Sequence, residues 1–305
     1  MTAAVTAQQK FVDELVAHGL LVPSGVPGVF GRAHEFENVI EQFERRVSSV
    51  GSKDGAEIFR FPPLINRAHF VQSEYLKSFP DLAGCVHSFV GGDAEHAELL
   101  GAVEHGNSWG KLLEQTDVVF TPAACYPLYP MIAGTLSSTS GRLFDVYSYC
   151  FRHEPSPDPA RMQVFRQREY VRVGDAASCA KFRDLWHERG MAIMDAVELP
   201  TQSVVANDPF FGRRGRMLAA DQRDQALKFE LVVPITSTEK PTACVSLNYH
   251  QDHFGRAFHI KTPDGADAHT ACIGFGVERI ALALFKTHGL STAKWPAGVR
   301  KALSL

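Results

Sequence analysis

Residues 143–173 read LFDVYSYCFRHEPSPDPARMQVFRQREYVRV, and this stretch decides the fold. Residues 143–154 are rich in Phe, Val and Tyr and predict a strand. Residues 155–160 hold three prolines and predict a loop, and residues 164–173 predict a second strand. The pair makes a long hairpin. Strand side chains alternate between faces, so Arg152 and Glu154 share one face of the first strand. On the second strand Phe165, Gln167, Glu169, Val171 and Val173 share one face. Downstream, residues 180–199 predict a helix with Phe182, Leu185, Trp186, Ile193 and Val197 inward, and residues 213–227 another, opened by a basic cluster. Phe229 to Pro234 and Ala243 to Tyr249 predict strands; Cys272-Ile-Gly-Phe-Gly-Val-Glu-Arg279 leads into an apolar helix stopped near Gly289. Upstream, residues 3–17 and 34–50 predict amphipathic helices, and Phe61-Pro62-Pro63-Leu64 predicts an edge or interface segment. Runs of hairpins with flanking helices argue for an α+β fold, an antiparallel sheet with helices packed on it.

The 305 residues include 31 Lys and Arg against 34 Asp and Glu, a net charge of −3 that makes no global case for nucleic-acid binding. No run of 18 apolar residues exists to cross a membrane, and the first 20 residues lack the apolar stretch of a secretory signal. Six scattered cysteines, with no Cys-x-x-Cys pair, predict reduced thiols and a cytoplasmic protein.

A phosphate calls for the planar fork of an arginine, and a purine for a flat apolar ring with a nearby acceptor for its amino group. Arg152, Phe165 and Glu154 offer these on one sheet, although a cross-strand ion pair beside a core Phe uses the same residue types. Gly274-Phe-Gly276 followed by Arg279 lacks the third glycine of a dinucleotide fingerprint; it reads as a close approach of backbones with an arginine at a helix start.

Together these segments resemble the catalytic core of class II aminoacyl-tRNA synthetases, over roughly residues 55–290. Phe151-Arg152-His153-Glu154, then Phe165-x-x-x-Glu169, is similar to motif 2 of that fold. Gly274-x-Gly276-x-Glu278-Arg279 is similar to motif 3, and the segment around Phe61-Pro62-Pro63 to motif 1, which builds the family's dimer interface. Thr121-Pro-Ala-Ala-Cys125 has Cys where most of the class has Glu, and Cys272 replaces the first Gly of motif 3. Ser246-Leu-Asn248-Tyr-His250 is similar to the Ser-x-Asn stretch of seryl enzymes. These departures are shared by the atypical zinc-dependent seryl-tRNA synthetases of methanogens and by their short relatives, the amino acid:[carrier protein] ligases.

The resemblance implies a zinc ion, one per subunit, held by Cys125, Glu169 and Cys272, with a fourth position for the substrate's amino group. It implies ATP with Mg2+, the α-phosphate on Arg152 and the γ-phosphate on Arg279. Glu154 would read adenine, Phe165 stack on it, Arg161 and Met162 close over the nucleotide, and Lys228 add a contact; Glu230 is a candidate Mg2+ ligand. Ala243, Cys244, Val245 and Ser246 would line the amino acid pocket, for a small substrate, glycine or alanine. The acceptor would be the phosphopantetheine thiol of a carrier protein, docked by Arg213, Arg214 and Arg216. Only about 50 residues precede the core, without coiled-coil heptads and with four Glu against two Arg in residues 34–47, which speaks against a tRNA-binding arm. The implied organisation is a homodimer of one catalytic domain, residues 51–305, with a helical insertion near 208–228 and an N-terminal helical segment, residues 1–50, packed on it. A truncated seryl-type synthetase acting on tRNA, and a non-catalytic amino-acid-sensing paralogue, are the alternatives.

Overall fold

The computed structural model describes residues 6–208 and 226–305. The expected helix 213–227, its arginines at 213, 214 and 216, and most of the expected insertion lie outside the described residues.

Seven strands form the central sheet: β1 (Glu57–Arg60), β2 (Arg142–Phe151), β3 (Val164–Gly174), β4 (Gln202–Val205), β5 (Lys228–Val233), β6 (Thr242–Gln251) and β7 (His269–Gly276). Their spatial order is β4-β5-β6-β7-β3-β2-β1, antiparallel throughout except for the parallel pair of β1 with β2. The hairpin β2–β3 pairs Cys150 with Phe165 and Val146 with Glu169. One face is covered by helices α1 (Ala7–Ala17), α2 (His34–Gly51), α3 (Ala176–Asp195) and α4 (Val277–His288). Phe11, Phe36, Phe43, Trp186 and Ile280 from those helices meet Tyr170, Leu247, Ile273 and Phe275 from the strands in the main core. A second core on the opposite face gathers Tyr129, Phe144, Val146, Val171, Val173, Phe254 and Cys272. The alternation of side chains along β3, β6 and β7 therefore divides each strand between a helix-packed face and a face left to the site. Among the described residues no helix is long and apolar enough to cross a membrane.

Local chemistry shifts some boundaries. The first hairpin strand ends at Phe151, not at residue 154: Glu154 N–H donates back to the Arg152 carbonyl at 2.8 Å, a tight turn that breaks the alternation. Helix α3 starts at Ala176 because the Asp175 carboxylate caps it, accepting from the Ser178 N–H at 2.6 Å. Leu185, expected inward, is 41% exposed; Trp186 takes the buried stripe, flanked by Cys179, Phe182 and Met194. A three-stranded sheet of Leu64–Asn66, Leu113–Phe120 and Cys85–Phe89, with helix Asp93–Glu104 beside it in the chain, was not legible. Pro62 and Pro63 link it to the edge strand β1.

Candidate active site

A cavity of about 630 Å³ opens on the sheet face turned away from α1–α4, within the size range of small-molecule sites. Its two ends differ in chemistry. At one end Glu169 of β3, Cys272 of β7 and Cys125 of the loop after Phe120 converge, each about 3% exposed. The thiols of Cys125 and Cys272 are in hydrogen-bonding contact with each other and with the Glu169 carboxyl. The loop is fixed from below: the Ala124 N–H donates to Glu169 Oε1 at 3.0 Å and to Gln167 Oε1 at 3.2 Å. Gly274 pairs with Glu169 across the ladder, and a Cβ there would come within 3.3 Å of the Glu169 Cγ, so a side chain would crowd the carboxyl.

Three acidic groups are buried together here, and two of them, Glu169 and Cys125, hold their protons more tightly for it. Burial and the neighbouring Cys272 push the Glu169 carboxyl up to about 8. Cys125 is raised by its contact with Cys272 and by burial, whereas Cys272 is lowered by its contact with Cys125, against burial. Soft thiols beside a carboxylate are the donor set of a tetrahedral zinc site with one position open. Among the described residues no group of three or more His, Cys, Asp or Glu side chains is arranged as a site that could hold a metal ion; Cys125, Glu169 and Cys272 lie in mutual contact instead.

At the other end two guanidinium groups face the cavity. Arg152 is anchored by Nε donating to the Pro122 carbonyl at 3.1 Å and lies over the Phe165 ring at 5.4 Å. Arg279, in the first turn of α4, donates Nε to the Ala160 carbonyl at 2.7 Å and Nη1 to the Ala243 carbonyl at 3.0 Å. Burial, and then the positive charge of Arg152, depress the Arg279 pKa, the cost of holding two cations in one cavity. Glu154 accepts from Arg161 Nη1 at 3.1 Å on the rim. Lys228 lines the cavity but is ion-paired with Asp208 at 2.5 Å and Glu230 at 3.1 Å, as a buried ammonium requires.

Most of the expected residues meet here: Cys125, Arg152, Glu154, Arg161, Phe165, Glu169, Lys228, Ala243, Cys244, Ser246, Cys272 and Arg279 all line the one cavity. Two do not. Met162 is 4% exposed and packs into the main core, because the chain turns it inward under the 155–160 loop. Val245 lies on the helix-packed face, since its neighbours on β6, Ser246 and Asn248, occupy the other one. Gln167, Asn248, His250, Tyr126 and Phe254 line the cavity without having been assigned a role, although the alternation along β3 already put Gln167 beside Glu169.

A buried charge network supports the arginine end from the helix side. Glu278, 1% exposed, accepts from the Arg166 backbone N–H at 2.8 Å and from its Nε at 2.7 Å. Arg166 in turn grips Glu37 of α2 with both Nη atoms, at 2.7 and 2.8 Å, and Arg32 adds a 2.7 Å bond to Glu37. Glu278 adjoins Arg279 and Arg166 adjoins Phe165, so one network fixes both.

No protein-family model matches the chain. Among solved structures, the seryl-tRNA synthetase of M. kandleri in complex with A. aeolicus tRNASec superposes with a TM-score of 0.82 at 20% identity, over 99% of this chain; the chain spans 61% of that synthetase. This is the class II synthetase catalytic fold. Two curated proteins of Bradyrhizobium diazoefficiens are far nearer in sequence. Amino acid–[acyl-carrier-protein] ligase 2 is 45% identical over 292 residues, 95% of this chain and 87% of that protein. Amino acid–[acyl-carrier-protein] ligase 1 is 43% identical over 291 residues, 95% of this chain and 89% of that protein. At that identity and coverage the fold, the paired ends of the cavity and the relatives agree, and the chain belongs to the amino acid–[acyl-carrier-protein] ligases, enzymes of the ligase class built here on a class II synthetase core.

Proposed function

We propose that the chain activates a small amino acid, glycine or alanine, with ATP and passes it to the phosphopantetheine thiol of a carrier protein. The observation that carries this is the two-ended cavity: thiol, thiol and carboxyl at one end, two arginines at the other. An aminoacyl-adenylate has a free amine at one end and a phosphate at the other. The carboxylate oxygen of the free amino acid attacks the α-phosphorus of ATP, the bond to the β-phosphate bridging oxygen breaks, and pyrophosphate leaves with the adenylate formed. Arg152 holds the α-phosphate and Arg279 the γ-phosphate, neutralising charge as it shifts toward the leaving group. Phe165 stacks on adenine, Glu154 accepts from its amino group, and Arg161 closes the rim; Mg2+ accompanies ATP. In the second step the carrier thiol attacks the adenylate carbonyl, the bond to AMP breaks, and the thiol proton leaves to solvent.

Cys125, Glu169 and Cys272 would hold one zinc ion per subunit. When bound, zinc supplies an open coordination position for an unprotonated α-amine. The fit rests on the donor chemistry: three acidic side chains are buried together with no cation among them, and a divalent ion removes that conflict. The metal must displace protons from the raised Cys125 and Glu169, so zinc affinity rises with pH below about 8. Competition with a chelator of known pH dependence, at pH 6, 7 and 8, is expected to show tightening of about tenfold per unit for each proton displaced. A flat profile rejects these ligands.

Several further features support the wider reading. Six cysteines are free, which suits the cytoplasm. Helix Asp93–Glu104 buries no side chain and leaves Leu100 and Val103 exposed, with Ile58, Val71 and Trp109 exposed elsewhere between residues 58 and 109, which supports a homodimer. Arg213, Arg214 and Arg216 remain the proposed carrier-docking residues, with the N-terminal residues 1–50 and the core 51–305 as the proposed organisation. The deciding assay follows radiolabelled glycine and alanine with ATP onto phosphopantetheinylated carrier protein and onto bulk tRNA. Label on the carrier and none on tRNA is expected. Charged tRNA with an unlabelled carrier overturns the acceptor, and absent pyrophosphate exchange in zinc-replete protein overturns the activity.

A further inference from the structure

The sulfurs of Cys125 and Cys272 sit at the edge of the second core, and polar side chains reach them there as well. Donors converge on them from β6 and from the helical turn that carries Tyr129. Asn248 lies directly opposite Cys272 in the β6–β7 ladder, and its Nδ2 donates to Cys272 Sγ at 3.6 Å. His250, two residues on along β6, brings Nε2 to 3.8 Å from the same sulfur. The other ring nitrogen, Nδ1, is engaged by Thr270 Oγ1 at 3.0 Å, and the ring stands edge-on to Phe254 at 5.0 Å. In the tautomer where Nδ1 accepts from the Thr270 hydroxyl, the proton sits on Nε2 and points at sulfur. Cys125 is served separately. The Tyr129 ring is fully buried and stacks on Phe254 at 4.1 Å, and its hydroxyl, which has no oxygen or nitrogen partner, is in contact with the Cys125 thiol. A buried O–H needs an acceptor, and the Cys125 sulfur is the one within reach.

We propose that Tyr129, Asn248 and His250 are positioning residues that fix the direction of the Cys125 and Cys272 sulfurs and thereby set the affinity of the site for zinc. The inference rests on the zinc reading above and deepens it. Hydrogen-bonding contacts to sulfur fix the direction of each Cβ–Sγ bond before a metal arrives. The Ala124 N–H does the same for Glu169, so each of the three donor groups is held by at least one partner that would not itself bind the metal.

The test uses the full-length chain with zinc and cobalt(II) as probes. Variants are Tyr129→Phe, which keeps the ring stack, Asn248→Ala and His250→Gln, with Thr270→Val as a milder change that frees the imidazole without removing it. Each is checked by thermal melt, then titrated with zinc against a chelating dye, and its cobalt(II) form is read by absorption. Zinc affinity is expected to fall about 10- to 100-fold in the first three variants, and less in the fourth. The sulfur-to-cobalt charge-transfer intensity should stay at the wild-type value, because both thiolates remain. Zinc affinities within about twofold of wild type in the folded variants overturn the proposal. A shift of the visible cobalt bands in His250→Gln alone also overturns it, by making His250 a direct ligand. Wild-type chain that takes up no zinc overturns both this proposal and the reading it rests on.

Discussion

Cys272→Ala is expected to abolish zinc binding and to slow amino-acid-dependent pyrophosphate exchange by more than about 100-fold, while the protein stays folded. The cost to the fold is small. The substitution removes one sulfur from a side chain 3% exposed, a change of about 1 kcal/mol or less beside a core that also contains Phe254 and Tyr129. The cost to the reaction is large for a geometric reason. Two remaining donors, one thiol and one carboxyl, leave the substrate amine without its anchor, and misplacing a reacting carboxylate by about 1 Å is worth roughly 100-fold in rate. The control is Cys179→Ala: that thiol is also fully buried, but it sits on α3 and donates to the His269 carbonyl at 3.3 Å, away from the cavity. It should retain zinc and exchange. Metal analysis and isotope exchange on the same preparations decide the point; unchanged zinc in Cys272→Ala removes Cys272 from the ligand set.

The hairpin was legible because its signals are local. Val, Tyr and Phe at strand spacing and three prolines in the loop leave little choice of structure, and the period of two correctly placed Phe165, Gln167 and Glu169 on one face. The same period corrects the amino acid pocket. From Cys244 onward β6 offers the cavity alternate side chains, Cys244, Ser246, Asn248 and His250, so Val245 between them faces the helices; Ala243 joins the lining where the register with β5 shifts. Loop residues have no such rule, and Met162 is in the core. Leu185 and Trp186 competed for one helix stripe, and the larger ring won. The convergence of Cys125 with Cys272 had no local signature. It is produced by three strand pairings and one loop, and only family resemblance brought the residues together before the fold did. The strand Leu113–Phe120, with LEQTD ahead of two valines, is too polar to announce itself.

Glu278→Ala is expected to destabilise the protein by about 3–5 kcal/mol, the usual result of removing one partner from a buried ion pair. Glu278 is 1% exposed and satisfies both the backbone N–H and the guanidinium of Arg166. Without it the Arg166 charge is left half-paired, in the same part of the molecule as Arg279 and Arg152, which already repel each other. Glutamine is not a rescue: its carbonyl can replace one oxygen, but its amide N–H groups then face the Nε–H of Arg166, donor against donor. Glu278→Gln should therefore cost nearly as much as alanine. Glu37→Gln should cost less, about 1 kcal/mol, because the Glu37 side chain is 38% exposed and water can take up the freed bonds of Arg166 and Arg32. Denaturant melts of the three variants test this order, and Glu278→Gln matching wild type would overturn the network as a source of stability. The network also predicts where function fails in those molecules that remain folded. Glu278 is the neighbour of Arg279 and Arg166 the neighbour of Phe165, so loosening it should raise the KM for ATP well before it changes the KM for the amino acid, whose proposed anchors lie on β3, β7 and the 121–125 loop.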